Sequence, residues 1–281
     1  MIQIMDCTVM PDWDDDRKAQ HLVQGIMESY DYALMVADGA VYNENGNIEI
    51  GPLDSKLKYW RQEKIELETG PAMERKKRSI KQLKREDIPF IPHLPVIPEE
   101  SFINLRSTEE AARRAIVLSL VSRRAEGQSF DWFQQKVEQY RVQDAVTEDE
   151  WEFAEDDEPP EYILVKFSKR LESYWLLLWA LGFVQQLNFP NNFAQVDRAY
   201  DAIDSRSVDQ FLLEAKLRDA SELLDMTDLY YRYHWALVDA ELYGKKPPKN
   251  MLMPVVYERH YALNWLIGYK DASWDEVPTD T

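Results

Sequence analysis

The sequence predicts an α+β protein: a mainly α-helical C-terminal domain that follows a small N-terminal α/β piece, built of a helix plus short antiparallel strands. Two observations support this class. Apolar residues recur at helical spacing through most of the chain after residue 105. Earlier in the chain, the pairs Asp38-Gly39 and Asn45-Gly46 separate short apolar runs. Both pairs are typical of hairpins, because a type I′ turn needs positive φ at its two central positions.

The N-terminal piece is predicted to contain a second helix besides the one that precedes the strands. Asp12 or Asp14 can cap the first helix, which should run to about residue 30. The second covers about 55–85 and carries the basic run ERKKRSIKQLKR. A basic run can bind nucleic acid, but glutamates interleave in this helix and the whole chain is acidic. We therefore interpret it as a solvated helix face.

A proline-rich connector, residues 88–104, should separate an N-terminal domain, residues 1–87, from a helical domain, residues 105–281. The connector begins with IPFIPHLPVIPEE, in which four prolines stand from Pro89 to Pro98. Proline is excluded from helix interiors and donates no N–H to a sheet. We therefore expect this segment to be extended and packed along a surface.

Capping signals divide the helical domain into its elements. Ser107 with Glu110, and Thr147 with Glu150, form the pattern of a capping box at the start of a helix. A proline at the first helical position marks another start at Pro254. The predicted helices cover about 107–125, 129–144, 147–155, 161–187, 192–204 and 207–217, followed by two that begin near residues 223 and 254.

The helix from about residue 161 is apolar on every side between Leu171 and Leu181, which predicts a central position in the fold. Glu172 nevertheless shares a face of this helix with two tryptophans. A carboxylate in such surroundings needs a cation or an amide as its partner. Arg113 or Arg114, from the helix that Ser107 caps, could supply one.

The last predicted helix places Arg259 inside its apolar arc. Arginine cannot shed its proton, so burying it without an acceptor is costly. We therefore expect Arg259 to meet a carboxylate. The candidates are Glu172 and three acids of the preceding helix, Asp225, Asp228 and Asp239, which form one narrow stripe with Arg232.

These charged side chains allow two interpretations. In the first, they are buried ion pairs that fix the register of adjoining helices. In the second, they line a ligand-binding pocket, because groups with perturbed pKa values gather at functional sites. The residues concerned are Arg170, Glu172, Asp225, Asp228, Arg232, His234, Glu258, Arg259, His260 and Asn264.

Composition and motifs argue against several classes of protein. A single cysteine, Cys7, excludes an intramolecular disulfide and a cysteine-built zinc site, and with four scattered histidines we expect neither metal nor cofactor. No HExxH pattern, GxSxG elbow or glycine-rich phosphate loop occurs, so no catalytic residue is predicted.

No signal peptide is indicated, and the most apolar run, 174–184, is too short to span a bilayer. A cytoplasmic protein is favoured.

The chain carries 51 acidic against 33 basic side chains, a formal charge of −18. Such a field repels nucleic acid and anionic membranes and attracts basic partners. The plainer alternative is that acidity only maintains solubility. The oligomeric state stays open.

Four segments resemble a known bacterial family, domain of unknown function 4272. They are LRSTEEAARRAIVLSLVSRRAEG, RLESYWLLLWALGF, LRDASELLDMTDLYYRYHWALVDAEL and VVYERHYALNWLIGYKDASWDEVPTDT. The resemblance covers residues from about 105 to 281. It implies a mostly helical C-terminal domain, and it transfers no activity and no site residue.

Two classes of function follow. The first is a non-enzymatic protein-interaction module, for example an acidic immunity or antitoxin-type protein that captures a basic partner. The alternative is a small-molecule sensor or an enzyme that uses a buried Arg/His/carboxylate pocket in the helical domain.

Overall fold

The structure is a computed structural model that describes residues 70–281 and three short stretches, residues 34–35, 41–42 and 48–50. The chain divides into two compact units, Met1–Glu68 and Thr69–Thr281. The basic helix therefore belongs to the same unit as the later helices, whereas the sequence analysis grouped it with the N-terminal piece. The first predicted helix and the first part of the second lie outside the described residues.

The predicted α+β class is wrong. Residues 70–281 form helices and contain no strand. The described strands, Leu34–Met35 (β1), Val41–Tyr42 (β2) and Ile48–Ile50 (β3), are two or three residues long and pair antiparallel in the order β1-β2-β3. Turn signals fix where a chain reverses, but strands this short do not make a layer of the fold. The described architecture is α-helical.

Residues 70–281 form nine α-helices, joined by short loops and 3-10 turns. They are α1 (Pro71–Glu86), α2 (Thr108–Ala125), α3 (Phe130–Tyr140), α4 (Glu148–Glu155), α5 (Glu161–Ala180), α6 (Val196–Asp204), α7 (Val208–Glu214), α8 (Ala220–Leu242) and α9 (Met253–Leu266). The 3-10 turns are Glu100–Phe102, Gln143–Ala145, Pro248–Asn250, Tyr269–Asp271 and Trp274–Glu276. Within the described part of the chain, none of the helices has both the length and the hydrophobicity to cross a membrane.

The core is organised around α5. This helix packs against α2 and α9, while α9 contacts α8 and α8 contacts α1. Every residue from Arg170 to Leu181 is buried, which confirms the central position predicted from the all-round apolar pattern. The small residues Ala111 and Ala115 on the buried side of α2 allow a close approach of the two helices. Each large aliphatic side chain buried here contributes about 1.5–3 kcal/mol.

Helix α1 is not simply a solvated basic face, because two of its cations are buried. Arg75 donates from Nη1 to the carbonyl oxygens of Ile97 and Pro98, at 3.1 Å each. Lys76 donates to the carbonyl of Leu94 at 2.7 Å, and its burial lowers its pKa. Since buried backbone carbonyls need donors, these cations satisfy the proline-rich segment and hold it against α1.

Helix α5 ends earlier than the sequence predicted. It stops at Ala180 rather than near residue 187, because Gly182 adopts a φ of 84° that turns the chain away. Arg218 binds the helix end, where its Nε donates to the carbonyl of Trp179 at 2.7 Å. A carbonyl in the last turn has no partner within its own helix, and Arg218 supplies one.

Both predicted capping boxes are confirmed, at Ser107 with Glu110 and at Thr147 with Glu150. The second box has an additional role. Glu150 is buried and accepts hydrogen bonds at 2.8 and 2.6 Å from Nη2 of Arg114. One carboxylate thus caps α4 and ties it to α2. Because Arg114 is used here, it is not the partner of the carboxylate in α5.

Candidate functional site

Arg259 is 1% exposed and meets a carboxylate, as predicted. Its Nε and Nη2 donate to Oε2 of Glu172 on α5 at 3.1 and 2.9 Å. Its Nη1 donates to the carbonyl of Asn188 and to the phenol oxygen of Tyr230. Burial lowers the pKa of Arg259, but Tyr230 and Glu172 outweigh that effect and leave it raised. The second oxygen of Glu172 accepts the N–H of Ala194, so both charges are fully partnered.

A second buried pair joins the same two helices. Arg170 of α5 donates from Nη1 to Oε2 of Glu258 on α9 at 3.1 Å, and Ser173 donates to the same oxygen at 2.6 Å. The guanidinium carbon of Arg170 lies 4.4 Å from the ring centre of Tyr261, a cation–π contact. Burial lowers the pKa of Arg170, whereas Glu258 and Tyr261 raise it, and the net pKa is raised. Arg170 therefore keeps its positive charge inside the protein.

Helix α8 holds a third buried pair. Arg232 donates from Nε and Nη2 to the two oxygens of Asp228 at 2.8 Å each, and Nη2 also reaches the carbonyl of Pro95 at 3.1 Å. Asp228 is 0% exposed, so this bidentate pair is enclosed by the protein. Asp225 does not join it. Its carboxylate is partly exposed and accepts hydrogen bonds from Arg78 of α1 at 3.1 and 2.5 Å.

His234 and His260 face each other, with their Nδ1 atoms 3.1 Å apart. One ring must donate this hydrogen bond and the other must accept it, so the accepting ring is neutral. Burial lowers the pKa of His234 to about 4. Burial, with repulsion from His234, lowers the pKa of His260 to about 3. Asn264, the last predicted residue, donates to the carbonyl of Pro278 at 2.8 Å and ties the C-terminal tail to α9.

The ten predicted residues therefore meet as pairs rather than as one pocket. Eight of them partner each other: Arg170 with Glu258, Glu172 with Arg259, Asp228 with Arg232, and His234 with His260. We call the three Arg–carboxylate pairs the buried ion pairs. Among the described residues, no group of three or more His, Cys, Asp or Glu side chains is placed to hold a metal ion. The buried ion pairs can fix helix register, because each charge is neutralised within the core.

An open groove lies between the first half of α5 and the first turns of α9. We call it the α5–α9 groove, and its volume is about 620 Å³. Tyr162 is 72% exposed, and Val165 and Tyr257 are also exposed. The lining residues are Glu161, Tyr162, Val165, Lys166, Lys169, Met253, Pro254, Tyr257 and Glu258. Of the ten predicted residues, only Glu258 lines this groove.

The charges of the α5–α9 groove differ from one end to the other. Lys166 pairs with Asp149 of α4 at 3.1 Å. Lys169 is half-buried and has no carboxylate within 4.0 Å among the residues that the structure describes. Glu161 lies at the start of α5, and two prolines separate it from the exposed acidic run 155–158. The groove thus combines two tyrosines, one unpaired cation and the carboxylate of Glu161.

This groove was not predicted, because most apolar side chains of the helices were expected to lie in the core. Tyr162 and Val165 stand before the all-round apolar part of α5, among charged residues. An apolar pair at i, i+3 on a charged face is the signal that could have indicated an exposed patch. The opposite wall, at Tyr257, depends on how α9 docks on α5. Spacing within one helix does not reveal that docking.

The comparisons with known proteins agree with the resemblance seen in the sequence. The family model described as Domain of unknown function (DUF4272) matches residues 75–277, most of the chain and nearly all of its helical unit. No curated protein and no solved structure matches the chain. The match also takes in most of α1, which the sequence analysis left outside the resemblance. The chain belongs to the DUF4272 family.

Proposed function

We propose that this protein is a non-enzymatic interaction module that binds a basic segment of a partner protein in the α5–α9 groove. The exposure of Tyr162 and its apolar neighbours carries the proposal. Contiguous exposed apolar side chains with a polar rim are typical of protein docking sites, and aromatic residues and methionine are enriched there. The alternative, a buried ligand pocket, is not pursued, because eight of its ten residues are used by each other.

Charge supports a basic partner. The chain carries a formal charge of −18, Glu161 lines the groove, and the exposed acidic run 155–158 shortly precedes α5 in the sequence. An acidic surface speeds the encounter with a basic partner and disfavours acidic ones. The unpaired ammonium group of Lys169 needs a hydrogen-bond acceptor from the partner. The bound segment should therefore place a carbonyl or carboxylate oxygen next to it.

The partner class that fits best is a basic toxin, with this chain acting as its immunity or antitoxin-type protein. A nuclease toxin must carry a basic surface to hold its polyanionic substrate. A groove on an acidic protein that covers such a surface would block it without any catalytic group. The mutual pairing of the buried charges agrees with a protein that inhibits by binding.

The test is a comparative capture experiment with the full chain, expressed at its natural level in the organism that encodes it. The groove variant is Tyr162→Ser with Val165→Ser. The matched control is Tyr243→Ser with Leu213→Ser, which removes exposed apolar side chains on other helices. Bound proteins are quantified at low salt and at high salt, and the affinity of the main partner is then measured calorimetrically.

We expect wild type and control to retain one basic protein at low salt, and the groove variant to lose about tenfold or more of its affinity for it. High salt should weaken the complex, because steering between exposed charges is screened. Equal retention by all three proteins, an acidic partner, or no specific partner at low salt would each refute the proposal.

A further inference from the structure

We infer that a second groove, between α1 and α8, binds a compact anion with two or more phosphate groups. This site is independent of the α5–α9 groove. We call it the α1–α8 groove, and its volume of about 410 Å³ is within the range of small-molecule sites, about 300–1,000 Å³. Its lining residues are Arg78, Ser79, Lys81, Gln82 and Arg85 from α1, and Glu222, Asp225, Met226 and Leu229 from α8.

The carboxylates of the α1–α8 groove are already neutralised. Asp225 accepts two hydrogen bonds from Arg78, and its Oδ1 also lies 3.5 Å from Nε of the buried Arg75. Glu222 pairs at 2.7 Å with Arg218, which lies just before the start of α8. Each acid of the groove therefore has at least one cation of its own. The remaining cations of the groove are in excess.

Lys81 and Arg85 are those remaining cations. Both are exposed, and neither has a carboxylate within 4.0 Å among the residues that the structure describes. With Arg78 they occupy positions i, i+3 and i+7 of one helix face, spread over about 10 Å along the axis. Two of the Arg78 nitrogens hold Asp225, and the guanidinium keeps its positive charge beside the groove.

The other surface of the groove is apolar. Met226 is half-buried and Leu229 is buried, and both lie opposite the cations. Phosphate oxygens suit arginine and lysine, because N–H donors bonded to an anion make the stronger class of hydrogen bond. A ligand that carries phosphates at one side and an apolar or aromatic body at the other, such as a nucleoside triphosphate, fits both surfaces.

Net charge favours a compact anion over a long one. The formal charge of −18 repels polyanions. A nucleic acid or an acidic polypeptide would extend beyond the few cations of the groove and meet this repulsion along its length. A triphosphate would place its charge beside the cations alone. We therefore expect the groove to bind a triphosphate more tightly than a nucleic acid or an acidic polypeptide.

The test uses the full-length protein and adenosine triphosphate as the probe, with calorimetric titration at low salt. The groove variant is Lys81→Gln with Arg85→Gln. The matched control is Lys77→Gln with Lys84→Gln, which removes the same charge from the same helix outside the groove lining. Glutamine resembles lysine and arginine in helix propensity. Melting curves of both variants show whether the fold is kept.

We expect wild type and control to bind the triphosphate with submillimolar Kd, and the groove variant to bind about tenfold more weakly. Adenosine monophosphate should bind more weakly than the triphosphate. No binding by wild type up to millimolar probe would overturn the proposal, and so would equal weakening in both variants. Tighter binding of an oligonucleotide or a glutamate-rich peptide would also overturn it, because the site would then serve a long polyanion.

Discussion

Helices α5 and α9 are used in two opposite ways along their length. In their middle, Arg259 with Glu172 and Arg170 with Glu258 are buried and neutralise each other. At their beginning, Tyr162 and its neighbours leave apolar surface open to solvent. In the first region the charged side chains bind each other. In the second region the apolar side chains remain uncovered by the rest of the protein. A buried charge in these helices therefore has its partner within the fold, whereas Tyr162 has most of its surface uncovered.

The same contrast separates Asp225 and Asp228, two of the three aspartates of α8. Asp228 is enclosed with Arg232, whereas Asp225 is partly exposed and meets α1. Both lie on the same face of the helix, so their spacing in the sequence does not distinguish them. Because one is buried and the other is partly exposed, the exposed aspartate can serve as the control for the buried one.

The largest effect is expected for Asp228→Ala. The change leaves the guanidinium of Arg232 buried, with the carbonyl of Pro95 as its remaining hydrogen-bond acceptor. Removing one partner of a buried pair costs about 3–5 kcal/mol. The free energy of unfolding, measured with urea and circular dichroism, should fall by that amount.

Asp225→Ala is the matched control, since it removes the same side chain from the same helix. Its hydrogen-bonded partner Arg78 is exposed, and exposed ion pairs contribute about 0–1 kcal/mol. The buried Arg75 lies farther away, at 3.5 Å, and keeps the carbonyls of Ile97 and Pro98 as acceptors, so the loss should stay below that of Asp228→Ala. If both variants lose the same stability, the distinction between buried and exposed pairs is wrong.

An intermediate effect is expected for the histidine pair as pH falls. Burial holds the pKa of His234 at about 4 and of His260 at about 3, below the ordinary value of 6.5. The unfolded chain therefore binds protons that the folded chain does not. The contribution of the neutral pair to the free energy of unfolding is fully present above about pH 6.5. It is lost as pH falls through the pKa values of the two histidines in the folded protein.

The variant His260→Asn removes one of these groups. Between pH 6 and pH 5, wild type should lose roughly 1 kcal/mol more stability than this variant. The control is His93→Asn, because His93 is exposed. Superimposable pH profiles for wild type and His260→Asn would contradict the buried, neutral pair.

The smallest effect on stability is expected for Tyr162→Ser with Val165→Ser in the α5–α9 groove. Both side chains are exposed, so the unfolding free energy should change by about 0.5 kcal/mol or less per substitution. A loss of several kcal/mol in urea unfolding would show that these residues support the fold, and it would remove the contrast between the two regions.

Part of this arrangement could be predicted from single helices. The all-round apolar pattern of α5 predicted its burial, and the apolar arc of α9 predicted a carboxylate for Arg259. These predictions succeeded because periodicity fixes which residues share a face and a buried arginine needs an acceptor. The choice of Glu172 was not predictable, since it is 87 residues away in sequence and is set by helix docking.

Other features depend on contacts between elements and were missed or wrong. The α+β prediction was wrong because it relied on the pairs Asp38-Gly39 and Asn45-Gly46. Such pairs are a local turn signal and do not predict a layer of sheet. The burial of Arg75 and Lys76 depends on the carbonyls of the proline-rich segment. The α5–α9 groove depends on how two separate helices lie against each other. No spacing within one helix encodes that geometry.

The most direct test of the central claim is a double-mutant cycle on Arg259→Met and Glu172→Leu, read out as the free energy of unfolding in urea. If the two charges neutralise each other in the core, each single variant should lose about 3–5 kcal/mol. The double variant should lose at least about 2 kcal/mol less than the sum of the two. Additive losses, or single variants as stable as wild type, would contradict a self-neutralised core.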